Sequence, residues 1–255
     1  MKVGFAGAGT MAAAISRGWA GAEAGPASLI FTDAGSGRAQ ELASEFGGEA
    51  RDTLEELARD SDLVLLAVTP GALERVAKPL GEARAILSIL GATPLERLTS
   101  AFPGKPVMRA LPNIAVEVRR AVIGYAPPVE MDEGMRDEIV GLLEQLGLAV
   151  EVEERLMDVV TAISGCSPAY VALVVEALAD AGVREGLDAR LAHDLVVETF
   201  AGTAALLREH DTLAVRRAVA SPGGSTAAGL AAFERGAERA VIADAVRASL
   251  ERMRS

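Results

Sequence analysis

Apolar and polar positions along this chain change rhythm once. Through about residue 152, short apolar runs recur at 2–6, 28–32, 63–68, 85–90, 107–111, 122–125 and 149–152, with helical or turn-rich segments between most of them. Runs of this length, bounded by turn residues, suit strands buried on both faces of a sheet. The first run leads into Gly7, Gly9 and Ala12 and then a helical stretch to about Ala22; the second ends at Asp33 and a Gly/Ser turn, followed by a helical pattern over 38–46. That closes a βαβ unit. Strands alternating with helices predict an α/β fold with a parallel, doubly wound sheet, although the later strands are free to pair otherwise. After Glu153 the strand rhythm stops. Residues 154–254 are rich in Ala, Leu, Val, Glu and Arg and read as several helices interrupted at 165–168, at Gly186 and at 221–224. The expected division is therefore a sheet domain over 1–152 and an all-helical domain over 153–255.

Within the helical half, 169–181 is apolar at almost every position, broken only by Glu176 and Asp180, one turn apart on one face. A helix apolar nearly all round must be covered on most sides, and about 100 residues in thin helical layers cannot do that alone. A second subunit is expected to supply the cover, as an obligate dimer. Glu176 and Asp180 read as a solvated stripe.

Composition narrows the partners. Half of the 255 residues are hydrophobic and 24% are charged, as in a globular protein. A net charge of −11 argues against nucleic acid or an anionic membrane as a partner. One cysteine, Cys166, excludes an intramolecular disulfide framework. Met1-Lys2 runs straight into an apolar strand without a signal-peptide pattern, so a cytoplasmic location is expected. No metal site is assigned.

Gly7-Ala8-Gly9-Thr10-Met11-Ala12 fits GxGxxG/A between a strand and a helix. The first glycine allows the turn, the second lets the backbone approach a pyrophosphate, and Ala12 permits close helix–strand packing. This predicts a Rossmann-type dinucleotide-binding domain. Asp33, at the end of the second strand, is placed to accept from the ribose hydroxyls of NAD, whereas Ser36 and Arg38 just beyond suit the 2′-phosphate of NADP. All three also fit ordinary turn and helix-start chemistry, and the cofactor choice stays open. Val68-Thr69-Pro70 and Asn113 end later strands, where the carboxyl edge of such a sheet lines the ligand crevice.

Candidate acid–base groups are scarce. His193 and His210 lie in helical patterns beside charged residues, and the only lysines are Lys2, Lys78 and Lys105, none in the helical half. Reducing a ketone develops alkoxide-like charge that calls for Lys or His. A protonated imine accepts hydride without it. The run Ser221-Pro222-Gly223-Gly224-Ser225-Thr226 offers only hydroxyls and backbone N–H groups, a cradle for a small anionic substrate, and so points to C=N reduction.

Residues 220–230 with Phe233-Glu234 resemble the signature of pyrroline-5-carboxylate reductases. So do Met157-Asp158, Thr161-Ala162-Ile163-Ser164-Gly165, Pro168-Ala169-Tyr170-Val171 and 176–183 with Gly186-Leu187. The resemblance spans essentially the whole chain. It implies reduction of L-1-pyrroline-5-carboxylate to L-proline, the last step of proline synthesis, by NADPH or NADH, with NADPH slightly favoured. It implies that Thr226 bonds the ring nitrogen as the catalytic residue. Ser221, Gly223 and the N–H groups of Gly224 and Ser225 would hold the carboxylate. The dinucleotide would lie on Gly7, Ala8, Gly9, Thr10, Met11, Asp33, Ser36, Arg38, Val68, Thr69, Pro70 and Asn113. It also implies a homodimer through the helical domain, and in some members a ring of dimers. The chain departs from the family pattern at Thr69, at Ile114-Ala115 and at Cys166-Ser167. A related enzyme of another cyclic imine, a hydroxyacid or ketopantoate-type dehydrogenase, and a nucleotide sensor without activity are the alternatives.

Overall fold

The computed structural model describes residues 1–254 and divides into two compact units. The first comprises Met1–Cys166 with the C-terminal residues from Leu250; the second is Ser167–Ser249. The division at 152/153 read from the sequence falls inside the first unit, because the chain after the last strand still packs on the sheet.

The first unit is one eight-stranded sheet in the order β3-β2-β1-β4-β5-β6-β7-β8. The strands are β1 (Lys2–Ala6), β2 (Ser28–Thr32), β3 (Glu49–Ala50), β4 (Leu63–Leu66), β5 (Ile86–Ser88), β6 (Val107–Pro112), β7 (Ala121–Tyr125) and β8 (Gly147–Glu151). Its helices are α1 (Thr10–Ala20), α2 (Arg38–Phe46), α3 (Leu54–Asp60), α4 (Leu73–Ala77), α5 (Leu95–Ala101), α6 (Glu133–Glu144) and the short α7 (Met157–Val160). β1 through β6 pair in parallel. β7 is antiparallel to β6, and β8 is parallel to β7. The reversal has a simple cause: the link between β6 and β7 is one 3₁₀ turn, Ile114–Val118, far short of the dozen or more residues that a parallel crossover needs.

Side chains alternate across the sheet and build two apolar layers. Val3, Phe5 and Phe31 face α1, α2 and α6, burying Ile15, Trp19, Leu42, Ile139 and Leu142. Ala6, Ile30, Val64 and Leu66 face α3, α4 and α5, burying Leu57, Leu73, Leu80 and Leu98. Phe5 stacks on Phe31 with ring centroids 5.1 Å apart and meets Trp19 edge-on at 6.0 Å. The buried Trp19 indole N–H is satisfied by the Leu142 carbonyl at 2.9 Å.

After β8 the chain passes through α7 into a π-helical turn, Thr161–Gly165, closed by the Cys166 N–H donating to the Thr161 carbonyl at 3.0 Å. The interruption expected at 165–168 is this turn; helix follows directly from Ser167, with Pro168 in its first turn, where proline is tolerated.

The second unit holds α8 (Ser167–Arg184), α9 (Ala189–Glu209), α10 (Thr212–Val219), α11 (Ser225–Arg235) and most of α12 (Glu238–Arg254). Breaks at His210-Asp211 and Gly236-Ala237 add to those read from sequence. Among these five helices only Ala192 is buried. Leu173, Val174 and Leu178 of α8, Phe233 of α11 and Val241 of α12 stand exposed around an apolar groove of about 710 Å³. The stretch Glu154–Arg184 is long and apolar enough to cross a membrane by length and composition, with a mean hydropathy of 1.6 over its most apolar window.

Candidate functional site

In the first unit the β1–α1 turn shows two different uses of glycine. Gly7 has φ +108°, and a Cβ there would press on the backbone of Ala67. Only glycine meets both demands. Gly9, the N-cap of α1, has an ordinary φ of −81°, and a Cβ on it would meet no protein atom within 4 Å. The fold does not require glycine there, but close approach of a ligand would. No side chain caps α1, so the helix presents unpaired N–H groups at this point, a cradle that fits a dinucleotide pyrophosphate. Thr10 is exposed at the helix start, Met11 packs partly against the core, and Ala8 is buried.

Gly7, Asp33 and Val68 meet in one cleft of about 370 Å³ at the carboxyl ends of β1, β2 and β4. The sequence reading missed Leu54, Glu55 and Arg75 on its other wall. The signal that would have found the first two is the capping box Thr53–Glu56. In it the Glu56 N–H donates to the Thr53 hydroxyl and the Thr53 N–H to the Glu56 carboxylate, starting α3 at this edge.

Asp33 is engaged within its own loop. Its carboxylate accepts from the Gly35 N–H at 2.8 Å, the Ser36 hydroxyl at 2.6 Å and the Ala39 N–H at 3.1 Å. These bonds, the Ser36 hydroxyl foremost, hold its carboxyl below the usual aspartate range. Arg38 reaches back so that its Nε donates to the Ala8 carbonyl at 3.1 Å, which sets a half-exposed guanidinium against the glycine turn. Ser36, Arg38 and Asp33 are thus brought together, on the α2 side of the cleft.

Thr69 and Pro70 continue from Val68 but do not line the cleft: Thr69 is an exposed N-cap, and Pro70 opens a 3₁₀ turn, Pro70–Ala72. Asn113 is buried, with its Oδ1 accepting from the Ala115 N–H at 3.3 Å and its Nδ2 donating to the Ser164 carbonyl at 3.1 Å. Its side chain is committed inside the protein, so a contact with cofactor expected from its position at a strand end would have to come from its backbone.

In the second unit, Ser221–Thr226 forms a turn into α11. The Gly224 N–H donates to the Ser221 carbonyl at 3.0 Å, and Gly223 takes φ +71°. A Cβ on Gly224 would strike the Ser221 hydroxyl, so the glycine lets that hydroxyl lie against the helix start. Gly224 caps α11 with no side-chain bond, leaving its first N–H groups to solvent or an anion. Ser221, Gly223 and Ser225 are exposed and Thr226 is half-buried. No residue from 220 to 230 is ionisable. The arrangement can bind a carboxylate and offer a hydroxyl, but it carries no acid of its own. His193 is exposed beside Asp194, and Glu176 and Asp180 are exposed on α8, as are the apolar residues of that helix around them.

Comparison with known proteins bears on both units. Residues 154–255 match the family model described as pyrroline-5-carboxylate reductase dimerisation, and residues 2–90 match one described as NADP oxidoreductase, coenzyme F420-dependent. The pyrroline-5-carboxylate reductase of Synechocystis sp. is 36% identical, over 99% of this chain and 97% of that protein. That of Pseudomonas aeruginosa is 31% identical over 98% and 95%. Among solved structures, the Plasmodium falciparum enzyme with NADP bound superposes with a TM-score of 0.90 at 27% identity, covering 100% of this chain and 97% of that one. The Streptococcus pyogenes enzyme does so with 0.91 at 28%, covering 100% and 98%. The chain belongs to the pyrroline-5-carboxylate reductase family.

Proposed function

We propose that this protein reduces L-1-pyrroline-5-carboxylate to L-proline as a cytoplasmic homodimer, with residues 1–152 holding the dinucleotide and 153–255 holding substrate and partner subunit. The observation that carries the reading is the Ser221–Thr226 turn: an open helix N-terminus with three hydroxyls and no ionisable side chain. The Ser221 hydroxyl and the Ser225 N–H hold the substrate carboxylate, the Gly224 N–H being committed to the Ser221 carbonyl, and Thr226 bonds the ring nitrogen. The cyclic imine carries its own proton on nitrogen, which makes its C=N carbon electrophilic without an enzymic acid. Reduced nicotinamide, when bound, would supply the hydride for that carbon; the ring nitrogen held by Thr226 would take up the C=N electron pair and become the secondary amine. The exposed apolar groove of α8, α11 and α12 is the face that a second subunit covers, and further pairing of dimers into a ring is part of the proposal.

For the cofactor we propose NADPH. The Asp33 carboxylate already accepts three bonds within its loop, one of them from the Ser36 hydroxyl, and keeps little capacity for ribose hydroxyls, while the half-exposed Arg38 guanidinium beside the glycine turn offers its outer N–H groups to a 2′-phosphate. Arg38→Ala is expected to weaken NADPH about ten- to a hundredfold, as loss of a charge-assisted bond does, and to leave NADH unchanged. The deciding experiment follows oxidation of NADPH and NADH with pyrroline-5-carboxylate, a six-membered cyclic imine acid and a 2-keto acid. Turnover of the first above the others is expected. Preference for the six-membered ring would move the assignment to a related imine reductase, and turnover of the keto acid alone would overturn it.

A further inference from the structure

The chain from Glu154 to Gly165 runs alongside β6 and is gripped by it at two points. Near the middle of the strand, Arg109 is 2% exposed and carries an ion pair to Glu154, with Asp158 at 3.5 Å; the same Glu154 oxygen accepts from the Leu95 N–H at 2.9 Å. At the strand's carboxyl end, the buried Asn113 amide donates to the Ser164 carbonyl inside the π-turn. The residue four on from Ser164 is Pro168, which has no N–H to donate, so the Ser164 carbonyl lacks its helical partner, and Asn113 satisfies it. Asn113 also caps the 3₁₀ turn at Ile114–Val118. With Asp33 marking the adenosine side of the sheet's carboxyl edge at β2, β4 through β6 form the nicotinamide side, and the π-turn is pinned to that side.

We propose that Asn113 is a positioning residue for hydride transfer. By holding the Ser164 carbonyl it fixes the π-turn as a wall of the nicotinamide site, without itself touching substrate. This rests on the proposed imine reduction only for its kinetic readout. Asn113→Ser and Asn113→Asp both keep an N-cap oxygen for the Ala115 N–H. The first is too short to reach Ser164, and the second sets a carboxylate against its carbonyl, so both remove the positioning bond while sparing the cap.

The variants are compared with the wild type on three readouts: affinity for 2′,5′-ADP, the emission of bound NADPH, and kcat with the deuterium isotope effect from NADPH deuterated at the transferred position. The expected result is unchanged 2′,5′-ADP affinity, reduced nicotinamide emission, and kcat per binding site lowered about tenfold or more with a larger isotope effect, as misplacement of reacting atoms produces. Unchanged emission, kcat and isotope effect in folded variants would overturn the proposal. Should Asn113→Asp fail to fold, Asn113→Ser carries the test. If the wild type itself does not turn over pyrroline-5-carboxylate, the imine reading fails, while emission against 2′,5′-ADP affinity still decides the role of Asn113.

Discussion

Gly7 and Gly9 stand two residues apart in one motif, yet replacing each with alanine should fail in opposite ways. At Gly7, alanine would hold φ near +108° and set its Cβ about 2.5 Å from the Ala67 carbonyl oxygen. The backbone strain costs about 1–3 kcal/mol and the overlap a similar amount, about 2–6 kcal/mol together. For a chain of this size each kcal/mol moves Tm by roughly 2–4 °C, so Gly7→Ala should melt about 4–24 °C lower. At Gly9 the alanine gains about 0.4–1 kcal/mol from a less flexible unfolded chain and loses about 0.5–1 kcal/mol as a poorer N-cap, which nearly cancel. Its methyl group instead occupies the space open to a pyrophosphate. Losing charge-assisted bonds of about 1.5–3 kcal/mol should weaken NADPH about ten- to a hundredfold. Thermal melts and fluorescence titration with NADPH measure the two effects on the same samples. A Gly9→Ala protein that melts as low as Gly7→Ala, or that binds NADPH like the wild type, would refute the division of labour.

Three further outcomes are expected. Thr226→Ala should lower kcat about tenfold or more while leaving NADPH affinity unchanged in the titration, and an unaltered rate would remove its hydroxyl from the mechanism. Because Asp33's native pKa is depressed, first by the Ser36 hydroxyl, its stabilisation is complete above about pH 4 and is lost as pH falls through the native value. The Tm deficit of Asp33→Asn, present at pH 7, should therefore shrink in melts taken below that pH; a constant deficit would show that the carboxylate's charge is not what stabilises the loop. Leu173→Asp places a carboxylate in the apolar groove and should shift the light-scattering mass to a monomer, since an unpaired buried charge costs several kcal/mol; an intact dimer would place the interface elsewhere.

Much of the first unit was legible because its signals are local. The bounds of β1, β2 and α2 follow from an apolar run ending at Asp33 and from a helix starting after a glycine pair. β3 was missed because Glu49-Ala50 is an edge pair of two residues with no apolar run. The reversal at β7 was written in the short 113–120 spacing, which weighs more than strand composition. Asp33's partners are the turn chemistry its neighbours suggest, whereas the bond from Asn113 to Ser164 joins residues 51 apart and leaves no local trace. The same is true of the buried Arg109 cluster, which looks in sequence like one polar residue in an apolar strand. In the helical half, the breaks at Asp211 and Gly236 carried readable cap signals, but helices rich in Ala, Leu, Val, Glu and Arg that follow one another closely obscure their own boundaries. The turn at Ser221–Thr226 and the open helix start after it were legible because the residues that form them lie within six positions.

The near absence of buried residues in α8 to α12 makes amount a property of the enzyme. If a second copy completes the interior of this unit, as proposed, the unit obeys mass action, and dilution lowers its stability as surely as heat does. Melting temperature should climb with protein concentration, and activity per molecule should sag in very dilute assays. Helices freed by dissociation would lie open to proteases, so the cell sets the lifetime of each molecule through how many others it makes.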